Sequence, residues 1–472
     1  MKSEILPVVV VGGGFSGTVT AIHLSRRLPE VPVFLVEERE EAGPGLAYQE
    51  VDPSCLLNVP AGNLSAFARE PGHFLRYARR VLGEGVMPED FLPRKVYGEY
   101  LKSCLGEERS RNPLLQVLHR RVIDVSGSPD HSTAKVVFQD HSSIQASVVI
   151  LATGNQGSAF SSSVWSEFTV PARDAVRLIR GEEGKELLVI GTGLTMIDAV
   201  LDLERRGVAK KIHAISRNGL LPQAYETPVT RDVPDLDHLP DSDLRKCVRL
   251  FRKAIAEREA AGGSWRDIFA VIRSSTPSLW QELSERDRAR FLRLLSPFWE
   301  IHRHQCPSET RDRIDELIAA GKLELHRGTI VSVVKKGDRL HMGLAARSRD
   351  EATRWLEVDH ILDATGPARD LAAADHPLIQ NLLRRGFLKS DPHRLGAEVA
   401  ADYRAIGRDG SPSGWLFVVG PMLRARYYEA TAVHELKLHA SAVATRVEKH
   451  LIAQGIVSAE TEDEEEELSV LG

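Results

Sequence analysis

Two short stretches carry glycines at a spacing that handles phosphate. In the first, VVVVGGGFSG, Gly12, Gly14 and Gly17 follow an all-apolar run. The first glycine permits a tight turn, the second lets backbone approach a pyrophosphate, and the third lets a helix pack closely on the preceding strand. Phe15 and Ser16 would open that helix, whose free N–H groups and dipole favour an anion. Glu37 ends VFLVE about 20 residues further on, where an acid holds a ribose hydroxyl, and Glu38 follows it. The second stretch, LLVIGTGLTMIDAV, keeps Gly191 and Gly193, followed by Leu194 and Thr195, but has Met196 in place of the third glycine. Met196 predicts a helix held slightly further from its strand. The next strand ends in Ser216-Arg217 instead of an acid. An acid would repel a 2′-phosphate, whereas an arginine holds one in charge-assisted hydrogen bonds, so this unit is expected to prefer NADPH. The competing reading is a degenerate unit kept for packing.

Other chemistries have less support. WEIHRHQCP places His302, His304 and Cys306 close together, but residues two apart on a helix face different sides, so no metal is expected there. Arg303 and His304 in the same stretch either suit a cofactor phosphate or an acidic substrate, or sit at a solvated helix end. The four cysteines form no Cys-x-x-Cys, which argues against a disulfide framework, a structural zinc site and a redox dithiol. No Gly-x-Ser-x-Gly is present for a serine hydrolase.

The elements needed to position the glycine turns can be traced along the chain. PVVVVG, the helix after it with Val19, Ile22 and Leu28 on one stripe, and VPVFLVEE make a first βαβ unit. An irregular Gly- and Pro-rich stretch runs from Glu40 to about Pro71. ELLVIG, its helix and KIHAISR make a second βαβ unit. Residues 235–320 read as an Arg-rich helical insertion. The strands VVILATG and HILDATG each end in an Ala-Thr-Gly turn, and GWLFVVGP precedes a last helix expected from about Thr431.

Composition bounds the rest. The chain has 472 residues, 42% hydrophobic and 27% charged, an ordinary balance for a globular protein of two or three domains. Seven acids between Glu460 and Glu467 exceed in number the whole net charge of −5, so the rest of the chain is near neutral and nothing in it suggests a nucleic-acid groove. No apolar run reaches a membrane span. The early apolar run leads into a glycine turn instead of a cleavage site, and a cytoplasmic protein is expected. The partners expected are a small-molecule substrate, with no nucleic acid and no membrane; a homo-oligomer is compatible with the composition.

Strand, triplet, helix, strand and acid in one register, the second unit, and the paired Ala-Thr-Gly turns together resemble the two-dinucleotide-domain flavoproteins. The similarity runs from Val8 to about Gln454. A closer resemblance, to a bacterial FAD/NAD(P)-binding family, lies in GPGLAY (Gly43–Tyr48), LLNVPAGNLS (Leu56–Ser65), FLPRKVYGEYL (Phe91–Leu101), IGTGLTMID and SRNGLLP (Ser216–Pro222). A late motif is kept at Gly420, Pro421, Arg424 and Glu429, while Ala425 and Tyr428 replace a Gly and a Trp. The resemblance implies an α/β fold of two Rossmann-like domains. It assigns 1–175 plus 355–457 to an FAD domain, 176–354 to an NAD(P) domain with the helical insertion, and 458–472 to a disordered acidic tail. It implies FAD on Gly12, Gly14, Phe15, Ser16, Gly17, Glu37, Glu38, Gly45, Leu57, Asn58, Thr153, Gly154, Gly420 and Thr431. It implies NADPH on Gly191, Gly193, Leu194, Thr195, Ser216 and Arg217. Asn58 is expected at the flavin edge, and Asn58, Arg303 and His304 are the expected catalytic residues. The last helix would aim its N-terminus at the flavin's pyrimidine side. The activity implied is a flavin monooxygenase acting on an amine or another heteroatom. A flavin reductase without oxygen insertion and a flavin-binding sensor are the alternatives.

Overall fold

The structure, a computed structural model, describes residues 5–49, 52–128, 132–158, 165–174, 179, 183–231, 233, 243–345 and 353–458. The acidic tail expected at 458–472 lies, from 459 onward, outside the described residues.

The all-apolar runs become the centres of two sheets. In the first, the strand order is Arg404–Ile406, Pro412–Val418, Val148–Leu151, Val8–Val11, Val33–Glu37, Leu115–His119. Every pairing is parallel except that of the outer strand Arg404–Ile406. Val8–Val11 and Val148–Leu151 are buried at every position, as parallel strands covered on both faces must be. The helix Phe15–Arg27 covers one face and packs along the last helix, Val433–Ala453. Val19, Ile22 and Leu24 at its centre are fully buried.

The second sheet is parallel throughout, in the order Leu323–Arg327, Ala209–Ser216, Lys185–Ile190, His360–Asp363, Thr169–Pro171. A three-stranded antiparallel meander precedes the Ala-Thr-Gly strand of each sheet. Val122–Gly127, Ala134–Phe138 and Ser143–Ala146 precede Val148, and Thr329–Lys336, Arg339–Ala345 and Arg354–Val358 precede His360. After the two turns, Gln156–Ser158 and Pro367–Ala368 pair antiparallel, so both crossings between the units lie side by side.

Three features refine the sequence expectations. Thr169–Pro171 and His360–Asp363, which lie on the far sides of the expected boundaries at 175 and 354, hydrogen-bond into the second sheet. The helical insertion ends before residue 320: Ser308–Ala319 packs Ile314 and Leu317 into the second sheet's core beside Leu203 and Leu323. Among the described residues the inserted layer has four helices, Leu244–Ala260, Trp265–Glu282, Glu285–Leu294 and Ser296–Arg303. An unexpected helix, His73–Leu82, follows the irregular stretch, with Phe74 and Ala78 four residues apart as its buried anchor.

Candidate cofactor and active site

The glycines of the first turn sit where no side chain fits. Gly12 has φ +109°, and a Cβ there would overlap the carbonyl oxygen of Ala152, in the turn after Val148–Leu151. A Cβ on Gly17 would overlap the carbonyl oxygen of Gly12. The loop with Gly43 and Gly45 roofs the turn: Gly43 N–H donates to Gly13 O at 2.7 Å, and a Cβ on Gly45 would stand 2.9 Å from Gly14 Cα. Phe15 and Ser16 are buried, and Gly420, φ +90°, packs over Ser16. Glu37 is 2% exposed and accepts from Gly13 N–H at 2.8 Å, from Arg39 N–H at 3.0 Å and from Arg39 Nε at 2.8 Å. A carboxylate has about four acceptor positions. A second guanidinium contact at 3.2 Å occupies the fourth, so a ribose diol would take the place of the Arg39 side chain. The turn, its roof and this carboxylate fit an adenine dinucleotide. Glu38 does not join them: it is half-exposed and pairs with Arg121 at 3.3 Å.

The second turn repeats the crossing and loses the roof. Gly191 has φ +111°, and a Cβ there would overlap the Ala364 carbonyl oxygen, as at Gly12. A Cβ on Gly193, by contrast, would meet nothing within 4 Å, and Thr195 is exposed. Both line a cavity of about 770 Å³ together with Leu194, Ser216 and Arg217. Arg217 is exposed and has no carboxylate partner among the described residues. Ser216 holds the loop: its Oγ accepts from Thr192 Oγ1 and from Gly219 N–H, both at 2.9 Å. Met196 is completely buried in the second core and stays clear of the cavity.

The far wall of that cavity carries a charge network. Glu300 takes contacts from the Arg424 guanidinium, from Tyr428 Oη at 3.2 Å and from His304 Nε2 at 3.1 Å. Burial would raise the Glu300 carboxyl, but Arg424, His304 and Arg303 outweigh it and hold it well below the usual carboxylate range. Arg303 is 1% exposed, forms an ion pair with the fully buried Glu429 and donates to Thr431 Oγ1 at 2.8 Å. Its charge is therefore compensated inside the protein, which corrects the expectation of a cationic pair with His304 open to a phosphate. Withdrawal from bulk water and the Arg303 guanidinium hold the His304 imidazole below its ordinary value, against the opposing pull of Glu300, and it lines the cavity. Arg369, 43% exposed, stands 4.0 Å from Glu300 and remains open to a ligand.

Other expected residues divide between the sites. Gly154 and Thr431 line the large cavity, and Thr153 precedes Gly154 in the Ala-Thr-Gly turn. The last helix begins at Val433, two residues after Thr431, and Glu435 in its first turn pairs with Arg273 at 2.7 Å, offsetting the positive end of the helix. Leu57 is buried, its N–H on Leu92 O at 2.8 Å. Asn58 lies with Arg94 and Asp198 where the two units meet; those two form an ion pair at 2.8 Å. Glu300 is the residue the sequence reading missed. Its spacing of three and four residues from Arg303 and His304, on one helical face, was the available signal. The structure also gathers His213, Glu324 and His326, with ligand atoms within 4.8 Å of one another. Lys211 at 2.9 Å and Arg354 at 2.7 Å already neutralise Glu324.

Comparison with known proteins follows this geometry. Residues 9–156 match a family described as FAD-NAD(P)-binding. Among curated proteins none matches the chain in sequence. The fold is similar to that of ornithine hydroxylase from Pseudomonas aeruginosa in its reduced form, at 14% identity and a TM-score of 0.66, over 95% of this chain and 100% of that one. It is similar to an FAD-bound cadaverine monooxygenase from Erwinia amylovora, at 15% identity and 0.65, over 98% of each chain. It is also similar to the ornithine N-hydroxylase of Kutzneria sp. 744 with reduced FAD, NADP+ and L-ornithine, at 16% and 0.62, over 94% and 99%. The chain thus shares the α/β fold of these enzymes, and its residues 9–156 match the FAD-NAD(P)-binding family.

Proposed function

We propose that this chain is an FAD- and NADPH-dependent oxidoreductase, and specifically a monooxygenase that hydroxylates an amine or another heteroatom of a small molecule. One observation carries the reading. Two glycine turns of the same construction, each locked onto an Ala-Thr-Gly crossing, differ in that one is roofed and the other opens on a cavity lined by Arg217, which has no carboxylate partner among the described residues. A roofed turn suits a resident FAD, and an open one suits a nicotinamide cofactor that enters and leaves. A bound flavin would supply hydride acceptance and oxygen activation. The protein's own contribution is position. Gly12, Gly17 and Glu37 hold the adenine dinucleotide; Arg217, at the end of its strand, takes the 2′-phosphate. The Glu300–Arg424–His304 wall faces the same cavity and orients what reacts there. The fold-level neighbours that hydroxylate ornithine and cadaverine favour amine hydroxylation over a reductase without oxygen insertion.

The test is stoichiometric. The purified protein is given FAD, NADPH, oxygen and a panel of amino acids and diamines, and NADPH use, H2O2 and hydroxylamine are measured together. One hydroxylamine per NADPH is expected for some member of the panel. NADPH oxidation that ends wholly in H2O2 across the panel would replace the monooxygenase reading with the reductase one. Failure of NADPH to reduce the bound flavin at all would leave the sensor reading.

A further inference from the structure

The inserted helices line a second, half-open cavity, separate from the dinucleotide sites, of about 530 Å³. Four helices line it, Glu285–Leu294 through Phe291 and Leu294. Cys247, Phe251 and Ile255 come from Leu244–Ala260 at spacings of four residues. Phe269, Ile272 and Trp280 come from Trp265–Glu282, and Phe298, Trp299 and His302 from Ser296–Arg303. Protein interiors close-pack and leave few voids larger than a water. A space of this size falls instead within the range of small-molecule pockets, about 300–1,000 Å³.

The polar ends of the lining residues are used elsewhere. Trp280 Nε1 donates to Ala425 O at 3.0 Å, and Trp299 Nε1 to Glu429 Oε1 at 2.8 Å. Tyr428, whose ring also borders the space, donates its hydroxyl to Glu300. Thr276 Oγ1 donates to Ile272 O at 3.0 Å. What remains toward the cavity is mostly carbon, with the Cys247 thiol, the Trp265 indole and the His302 imidazole, whose Nδ1 is engaged with Phe298 O at 2.7 Å; Arg252 and Glu282 are exposed residues at its margin. An ion placed there would lose its water without a partner. The chain's own acidic segments are equally ill matched: residues 234–242 hold three aspartates and the tail seven acids.

We infer that this cavity is a binding site for a neutral, largely hydrocarbon molecule, aromatic or long-chain, distinct from the dinucleotide sites. The helix Ser296–Arg303 is the partition. Pro297, Glu300 and Ile301 face the 770 Å³ cavity, and Phe298, Trp299 and His302 the apolar one. Trp299 and Tyr428 reach from the apolar side to the buried carboxylate Glu429 and to Glu300 on the cavity wall. The site stands whether or not the flavin reading holds, since no part of it contacts the glycine turns.

The probe is N-phenyl-1-naphthylamine, neutral at pH 7.5, added to the full chain with tryptophan excitation. Saturable energy transfer at one probe per chain is expected. Ile255→Trp fills the space and should weaken binding by about tenfold or more. Leu250→Trp, on the exposed side of the same helix, should leave it unchanged, and FAD content should be the same in all three proteins. On the unmutated chain, the probe should slow N-ethylmaleimide labelling of Cys247, and not of Cys55, with the same half-saturation. Non-saturable transfer, or saturable binding that neither protects Cys247 nor responds to Ile255→Trp, would overturn the assignment.

Discussion

The two glycine turns are the instructive pair in this molecule. Both cross an Ala-Thr-Gly turn so closely that Gly12 and Gly191 could carry no side chain, and both need φ near +110° at that position. They part three residues after the second glycine. Gly17 touches the Gly12 carbonyl and allows no Cβ, whereas Met196 is completely buried and helps build the core of its unit. One turn gains closeness from a missing side chain, the other gains packing from a large one. The surroundings diverge in the same sense. The loop with Gly43 and Gly45 covers the first turn, and among the described residues nothing stands within 4 Å of a Cβ built on Gly193. The missing third glycine is therefore not damage to a phosphate site. It marks a unit whose helix packs through side chains and whose mouth stays open.

The comparison can be broken most directly at its strictest point. Gly17→Val should abolish folded, FAD-containing protein, because backbone has to move to admit the side chain. A yield of FAD-loaded protein within about half of the unmutated chain would show the first turn is no tighter than the second. Met196→Ala tests the opposite requirement. It should cost about 2–5 kcal/mol of stability in the second unit, read by urea denaturation, while FAD content holds. If flavin is lost in parallel, the two units do not pack independently.

Acid should weaken both units together. Burial pushes His326, in the second unit, and His439, in the last helix beside the first sheet, down to about 4 from 6.5. Protonation therefore favours the unfolded chain. The stability each neutral imidazole contributes is complete above about pH 6.5 and drains as pH falls toward 4, by up to about 3 kcal/mol apiece. The melting temperature should fall through that window, and His326→Gln should flatten the fall for the second unit alone. A melting curve unchanged between pH 6.5 and 4.5 would contradict it. The smallest expected effect is the most specific. Arg217→Ala should remove a charge-assisted contact of about 1.5–3 kcal/mol, weakening NADPH by roughly ten- to a hundredfold and leaving NADH nearly untouched. Equal losses for the two cofactors would remove the 2′-phosphate from Arg217.

Local patterns carried much of this into the sequence. All-apolar runs had to be buried parallel strands, and glycine triplets at dinucleotide spacing had to be strand-to-helix turns, because each depends on residues within about 20 positions of one another. The two units, their order and Glu37 and Arg217 at matching strand ends were legible for that reason. Relations across the chain were not. Thr169–Pro171 and His360–Asp363 joined the second sheet through hydrogen bonds between segments nearly 200 residues apart, which no local signal encodes. Arg303 read as an available cation until folding brought Glu429 against it from 126 positions away, and Glu300 gained its role only when Arg424 and Tyr428 closed on it. The sequence by itself determined which segments could turn tightly on a phosphate. Tertiary structure alone decided which charges remained free, since a charge is available or neutralised according to what long-range packing sets beside it.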